Sequence, residues 1–299
     1  MKYFETEPED NIFTALVADL THRCNMECAN CYIPNRAFPD MDANKLYSFL
    51  ERLPNRIYVR LIGAEPTMRE DLFDIIRNIK KIGHKCSLTT NGLKLGHRDY
   101  VKEIKNAGLR LILISMNGAG DDDVYKIIDS GKYANLKIRA LRNCMLENMI
   151  INTGTIIAKG INEHTIDDQV NLFFNIMEET NYKPRVKPIL RFKSVGKIGR
   201  HMDGDTTYNI NELIDLFKQK FDIQPSDQPV QNSGRTSVDG TYGLIGTIYE
   251  YNNVLIRFVD WEVDDDGVVD SGSEYRGRIT KDWKCAPFFE NIKLNEYGY

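Results

Sequence analysis

The chain has 299 residues, 42% hydrophobic, 27% charged and 10% aromatic, the balance of a globular protein with length for one large domain or two modest ones. Its 39 basic and 43 acidic residues leave a formal net charge of -4, which does not favour a sequence-independent hold on nucleic acid. No apolar run approaches the ~18 residues needed to span a bilayer, and the acidic start has no apolar secretory core, so a cytoplasmic address is expected.

Apolar, β-branched runs alternate with helical patterns over the first two thirds of the chain. The strands are expected at Phe13–Leu20, Ile57–Ile62, Lys85–Thr90, Leu109–Met116, Ile150–Ala158 and Arg185–Phe192. Amphipathic stretches separate them: Asp42–Leu53, Asp71–Ile82, Tyr100–Ala107, Lys132–Asn148 and Thr165–Thr180. Asp71 and Asp99 suit N-caps, and Gly83 and Gly108 suit helix stops. Six β-then-α units in series predict a parallel sheet with right-handed crossovers. Periodicity alone does not separate a doubly wound sheet from a barrel, and six units are two short of a complete one.

The pattern changes after Gly199. Asn211–Phe221 reads as a helix and 222–240 as a long polar loop. Thr241–Tyr249 and Val254–Val263 read as strands joined by a hairpin at Glu250-Tyr251-Asn252-Asn253. The chain thus divides into an α/β unit over 1–200 and a smaller α+β C-terminal extension over 201–299.

Of six cysteines, three fall together as Cys24-x-x-x-Cys28-x-x-Cys31, in the loop after the first strand. Active sites of parallel α/β folds gather at that end of the strands. Thiolates select soft or borderline metals, so an iron–sulfur cluster and zinc are both candidates. Closed zinc sites need four ligands, and His22 stands at no familiar finger spacing. A cube held by three thiolates leaves one iron open, a catalytic arrangement.

Thr21-His22-Arg23-Cys24-Asn25-Met26-Glu27-Cys28-Ala29-Asn30-Cys31-Tyr32 resembles the cluster loop of the radical S-adenosylmethionine (SAM) superfamily. A second motif, Gly63-Ala64-Glu65-Pro66 after the second strand, is similar to that family's Gly-Gly-Glu-Pro turn, with Ala64 at the second glycine. Thr89-Thr90-Asn91-Gly92 resembles its Thr-Asn-Gly, and Ser115-Met116-Asn117-Gly118 a pair of polar cofactor contacts. Ala158-Lys159-Gly160-Ile161-Asn162 resembles the adenine-side loop, and Gly199-Arg200 a Gly-Arg beyond the sixth strand.

The resemblance covers about residues 10–200 and implies a partial (β/α)6 TIM-like barrel, with the extension covering its substrate side. It implies a [4Fe-4S] cluster on Cys24, Cys28 and Cys31, and S-adenosyl-L-methionine held by Tyr32, Gly63, Ala64, Glu65, Ser115, Asn117, Gly160, Asn162 and Arg200. The expected activity is reductive cleavage of that cofactor to a 5′-deoxyadenosyl radical, which takes hydrogen from a small polar metabolite or peptide. An electron donor such as flavodoxin or ferredoxin is the implied partner, with neither nucleic acid nor membrane. The basic stretch Arg191, Lys193, Lys197, Arg200 and His201 would suit an anionic group.

Only Cys285 lies beyond the barrel, which excludes a second cluster within the chain, and only about a dozen residues precede the first strand, too few for a leader-peptide-binding domain. Cys285 has two readings: a buried thiol among aromatics, or the hydrogen-atom donor of a radical epimerase. An alternative of another class is a non-catalytic iron–sulfur or zinc-binding protein. Glu262-x-Asp264-x-Asp266-Gly267 is read as an acidic turn rather than a calcium loop, and Cys86 and Cys144 as core residues.

Overall fold

The computed structural model describes residues 4–31, 33, 36–195, 206–226, 231–232, 235–236, 248–259 and 276–287. Strands β1 (Ala15–Asp19), β2 (Tyr58–Ile62), β3 (Lys85–Thr90), β4 (Leu111–Ser115), β5 (Ile150–Ile157) and β6 (Ile189–Ser194) pair in sequence order, every neighbour parallel. Helices α1 (Ala43–Glu51), α2 (Leu72–Ile82), α3 (Arg98–Ala107), α4 (Asp122–Asp129), α5 (Ala134–Leu146) and α6 (Ile166–Glu179) fill the crossovers. In α2, Leu72, Ile75, Ile76 and Ile79 recur at helical spacing and are all buried. Gly83 and Gly108 end α2 and α3 with φ of 112° and 114°, a conformation that a Cβ would strain.

Two expected caps differ. Asp71 precedes α2, but its carboxylate takes both arms of Arg69 instead of the helix amides. Asp99 lies inside the first turn of α3, whose cap position is His97. The last core strand starts at Ile189, later than expected, because Pro188 has no N–H to enter the ladder. Helix α4 was not anticipated.

The C-terminal residues add α7 (Ile210–Lys218), β7 (Gln224–Pro225), a small ladder of β8 (Gln231–Asn232) with β9 (Arg235–Thr236), then β10 (Ile248–Tyr251), β11 (Val254–Val259), β12 (Arg276–Ile279) and β13 (Cys285–Pro287). Strands β10 and β11 form a hairpin that turns at Asn252 and Asn253, both at positive φ. β11 lies parallel to β6 and β12 parallel to β1, so each end of the six-strand run gains a parallel strand. The order is β13-β12-β1-β2-β3-β4-β5-β6-β11-β10-β7, an open sheet with the character of a partial TIM barrel. Helix α7 is held on β6 and β11 by Phe217, whose ring centroid is 4.4 Å from Phe192 and 4.8 Å from Phe258.

Side chains alternate between the two faces of the strands. Leu16, Val59, Leu88, Ile112, Ile151 and Phe192 face the helices and join the main core. Ala15, Tyr58, Ile189 and Leu255 form a separate buried cluster toward the start of their strands. The motif 264–267 lies outside the described residues, as do 241–247 and 260–263 of the expected strands.

Gly277 of β12 tests this placement, since a Cβ there would stand 2.4 Å from the Phe13 ring and 2.8 Å from the Ala286 carbonyl. Gly277→Ala is expected to lower unfolding free energy by about 1–3 kcal/mol in a urea titration. Gly120→Ala, with nothing within 4 Å, should change it by no more than about 0.5 kcal/mol. Equal stabilities of the two variants would place β12 elsewhere.

Candidate active site

The cysteine loop leaves β1 at its C-terminal end and is braced from several sides. Gly63, at φ 136°, brings the turn after β2 so close to the loop that a Cβ would stand 2.4 Å from the Thr21 carbonyl. The Ala64 and Glu65 amides then donate to the carbonyls of Thr21 and Arg23, at 2.8 and 3.0 Å. Buried Arg69 donates to the carbonyls of Leu20 and Met41 at 2.9 and 2.5 Å. Asp40 accepts from Thr21 Oγ1 and from the Arg23 guanidinium. Farther along, Ser130 Oγ donates to the Glu27 carbonyl and the Ala29 amide to the Ile128 carbonyl, so α4 supports the loop from the other side.

The next strand ends are fastened to one another by buried polar side chains. Glu65, fully buried, accepts at Oε1 from Thr67 N, Thr67 Oγ1 and Thr90 Oγ1, and at Oε2 from Asn91 N, between 2.6 and 3.0 Å. Lys137 of α5, also fully buried, donates to the carbonyls of Asn91 and Ser115 at 3.1 and 2.8 Å and pairs with Asp129 at 3.3 Å. Asn117 donates to Asp129 and accepts from the Ile156 amide. Asn162 donates to the carbonyls of Asn117 and Ile156 and accepts from the Ala158 amide.

These ends enclose a cavity of about 260 Å3 lined by Cys24, Cys28 and Cys31 together with Gly63, Ala64, Asn91, Ser115, Asn117, Asp129 and Lys137. Donors reach the sulfurs: Met26 N to Cys24 at 3.4 Å, and Arg36 Nη2 to Cys31 at 3.2 Å. Burial pushes the Cys24 and Cys28 thiols up, and the Met26 amide on the first and Lys137 near the second pull them back. Bound positive charge offsets such a cost, because a coordinated thiol loses its proton. Among the described residues no three His, Cys, Asp or Glu side chains converge on a single ion. The thiols share a cavity, which suits a cube in which three irons take one thiolate each.

The model of the radical SAM superfamily matches residues 19–173, from the end of β1 into α6. The chain belongs to the radical SAM superfamily. It is 28% identical over 244 residues to the GTP 3′,8-cyclase of Clostridium perfringens, covering 77% of this chain and 70% of that protein. Identity to the Aquifex aeolicus GTP 3′,8-cyclase is 25% over 243 residues, covering 77% and 72%. Among solved structures, Streptococcus suis SuiB bound to precursor peptide SuiA superposes with a TM-score of 0.56 at 15% identity, over 69% of this chain and 45% of SuiB. The structure of anSMEcpe with bound AdoMet and a peptide gives a TM-score of 0.51 at 18% identity, over 69% and 58%. The chain thus spans less than half of SuiB, and both superpositions describe the fold.

A radical SAM enzyme carries a [4Fe-4S] cluster and S-adenosylmethionine, and the thiol set and its donors fit the cluster. Of the residues expected at the cofactor, Gly63, Ala64, Ser115 and Asn117 line the cavity. Glu65 and Asn162 do not; their polar atoms fasten strand ends. Gly160, at φ 77°, donates its amide to Glu163 Oε1 and is also outside the lining. Tyr32 and Arg200 lie outside the described residues, with Lys197 and His201. Cys285 is fully buried on β13, its thiol pushed up to about 12 by burial, and it is not among the lining residues. Cys86 and Cys144 are buried in the main core.

Sequence reasoning passed over Asp129, Lys137 and Arg36. The first two sit on α4 and α5. The Asp121 cap, which accepts from the Asp123 and Val124 amides ahead of Val124, Tyr125 and Ile128, was the available signal for α4.

The Lys137–Asp129 pair is open to a double-substitution test. Lys137→Met should cost about 3–5 kcal/mol in urea unfolding, because it strands a buried carboxylate. Adding Asp129→Asn to Lys137→Met should recover part of that loss. Strictly additive costs would show that the two charges do not act as a pair.

Proposed function

We propose that this radical SAM enzyme cleaves S-adenosylmethionine reductively and uses the resulting radical to take hydrogen from an unactivated C–H bond of a small polar metabolite or peptide. One observation carries the reading: the three cysteines, the Gly63-Ala64 turn and the Ser115/Asn117 pair, from three different strand ends, line one cavity. When bound, the cluster and its cofactor supply an electron and a 5′-deoxyadenosyl radical.

The chain's own residues bind and orient. Cys24, Cys28 and Cys31 would ligate three irons, and the Met26 amide and Arg36 would stabilise sulfur charge. The turn at Gly63 and Ala64 offers backbone close to the cavity, and Ser115 and Asn117 offer polar contacts opposite it. Glu65 and Asn162 act indirectly, by holding those backbones in place. A reduced flavodoxin or ferredoxin is the proposed electron source. The epimerase reading of Cys285 draws no support from its place outside the lining.

Anaerobic reconstitution should give about four irons per chain, and dithionite with S-adenosylmethionine should yield 5′-deoxyadenosine slowly without substrate. Cys→Ala at all three positions should abolish both. GTP, for which the cyclase relatives are named, is the first compound to add in a search for coupled turnover. A fully loaded, reduced protein that makes no 5′-deoxyadenosine would favour the non-catalytic reading instead.

A further inference from the structure

Inside the barrel the strands carry a layer of charge that the cofactor site does not use. Arg60 of β2 and Arg191 of β6 line the cysteine cavity at its inner end. Both also line a smaller cavity of about 30 Å3, together with Arg257 of β11 and Arg276 of β12. The two cavities share Arg60, Thr89, Leu113 and Arg191, so they adjoin. Ala15, Tyr58, Ile189 and Leu255 each lie on the same strand face, two residues before an inward position of β1, β2, β6 or β11. They form an apolar floor one step beneath Arg60, Arg191 and Arg257, with Arg276, the register partner of Ala15, at the level of the floor itself.

The sign of this lining is one-sided. Asp129 is the one carboxylate among the described lining residues, and Lys137 pairs with it at 3.3 Å. That leaves Arg36, Arg60, Arg191, Lys193, Arg257 and Arg276 as further cations. Each of Arg60, Arg191, Lys193, Arg257 and Arg276 has other interactions in the protein as well. Arg278, which acts on the buried Asp19 carboxyl, is not among the lining residues of either cavity.

Arg191 and Arg257 are register partners on adjacent strands, both facing inward. Like charges directly opposite each other repel, and removal from water increases the repulsion. An anion between them is attracted by both, and guanidinium forks match the oxygens of carboxylate and phosphate. The small cavity holds about two water-sized groups, room for the two oxygens of a carboxylate or for part of a phosphoryl group that also reaches into the larger cavity.

We propose that this arginine layer receives the anionic end of the substrate, a phosphoryl or carboxylate group, at the junction of the two cavities, and so turns the rest of the substrate toward the cysteine loop. The assignment of the ligand as substrate rests on the functional reading above. It gives the C-terminal residues a part in substrate choice, since β11 and β12 supply two of the four arginines.

The test uses the reconstituted, S-adenosylmethionine-loaded protein at fixed ionic strength, titrated calorimetrically with inorganic pyrophosphate in one arm and malonate in the other. One saturable site is expected, with tighter pyrophosphate marking a phosphoryl substrate and tighter malonate a carboxylate. Arg191→Gln and Arg257→Gln should each weaken binding roughly 30-fold or more. Half-buried Lys193→Gln, which spares the inner core, should weaken it several-fold, while exposed Arg77→Gln should leave it unchanged. Failure of both anions to bind the wild type at millimolar concentration overturns the proposal, as does undiminished binding by the Arg191, Arg257 and Lys193 variants. Iron content and 5′-deoxyadenosine yield of the same wild-type sample report on the functional reading separately. Loss of those with anion binding intact leaves the site standing without its radical chemistry.

Discussion

Where parallel strands end, their ladders stop and the last backbone amides and carbonyls need new partners. This protein answers with a continuous series of side-chain and backbone bonds running across five strand ends. Amides of the Gly63 turn join β2 to the β1 loop, Glu65 joins β2 to β3, Lys137 joins β3 to β4, and Asn117 and Asn162 join β4 to β5. Three of those four side chains lie at full burial. A buried polar group costs about 1–3 kcal/mol when its partner is removed, so each member holds its neighbours to one arrangement. The cysteine cavity is the space left inside that rim.

This explains why residues of one motif divide between two tasks. Gly63 and Ala64 face the cavity, while the next residue, Glu65, spends both carboxylate oxygens on four donors inside the protein. Asn117 does both, lining the cavity while it bonds Asp129 and the Ile156 amide, whereas Asn162 is bonded wholly to backbone. Loss of cofactor binding in a Glu65 variant would therefore report a displaced backbone as readily as a lost contact.

Much of this architecture was legible. The helix-facing sides of β1, β2 and β4 are apolar throughout, and the bounds of β3 came out as expected. The cysteine spacing and the Gly63-Ala64-Glu65-Pro66 turn marked two of the strand ends that meet. What periodicity lacks is a record of which strand pairs with which. The hairpin at Asn252-Asn253 is visible in the chain, but its docking beside β6 depends on Phe192, Phe217 and Phe258 meeting in space. β12 was hidden for a different reason. Its Arg276-Gly277-Arg278-Ile279 alternation places charge on the inward face, where an apolar residue is the ordinary sign of a strand.

Net charge was the least informative quantity of all. A formal charge of -4 averages over the whole chain, and 43 acidic residues outnumber the basic ones. Yet among the described residues the cavity lining carries one carboxylate, and that one is matched by Lys137. Electrostatic interactions strengthen as water is excluded, so a few arginines turned inward outweigh many screened carboxylates on the surface. Strand parity is what turns them. Arg60, Arg191 and Arg257 occupy the positions next along from Tyr58, Ile189 and Leu255 on the same face, so whatever closes the barrel with apolar side chains also sets its charged layer directly above. A one-residue slip in any of these strands would send its arginine to the helix side and an apolar neighbour into the cavity. The packing of the core and the sign of the site are therefore fixed by the same register.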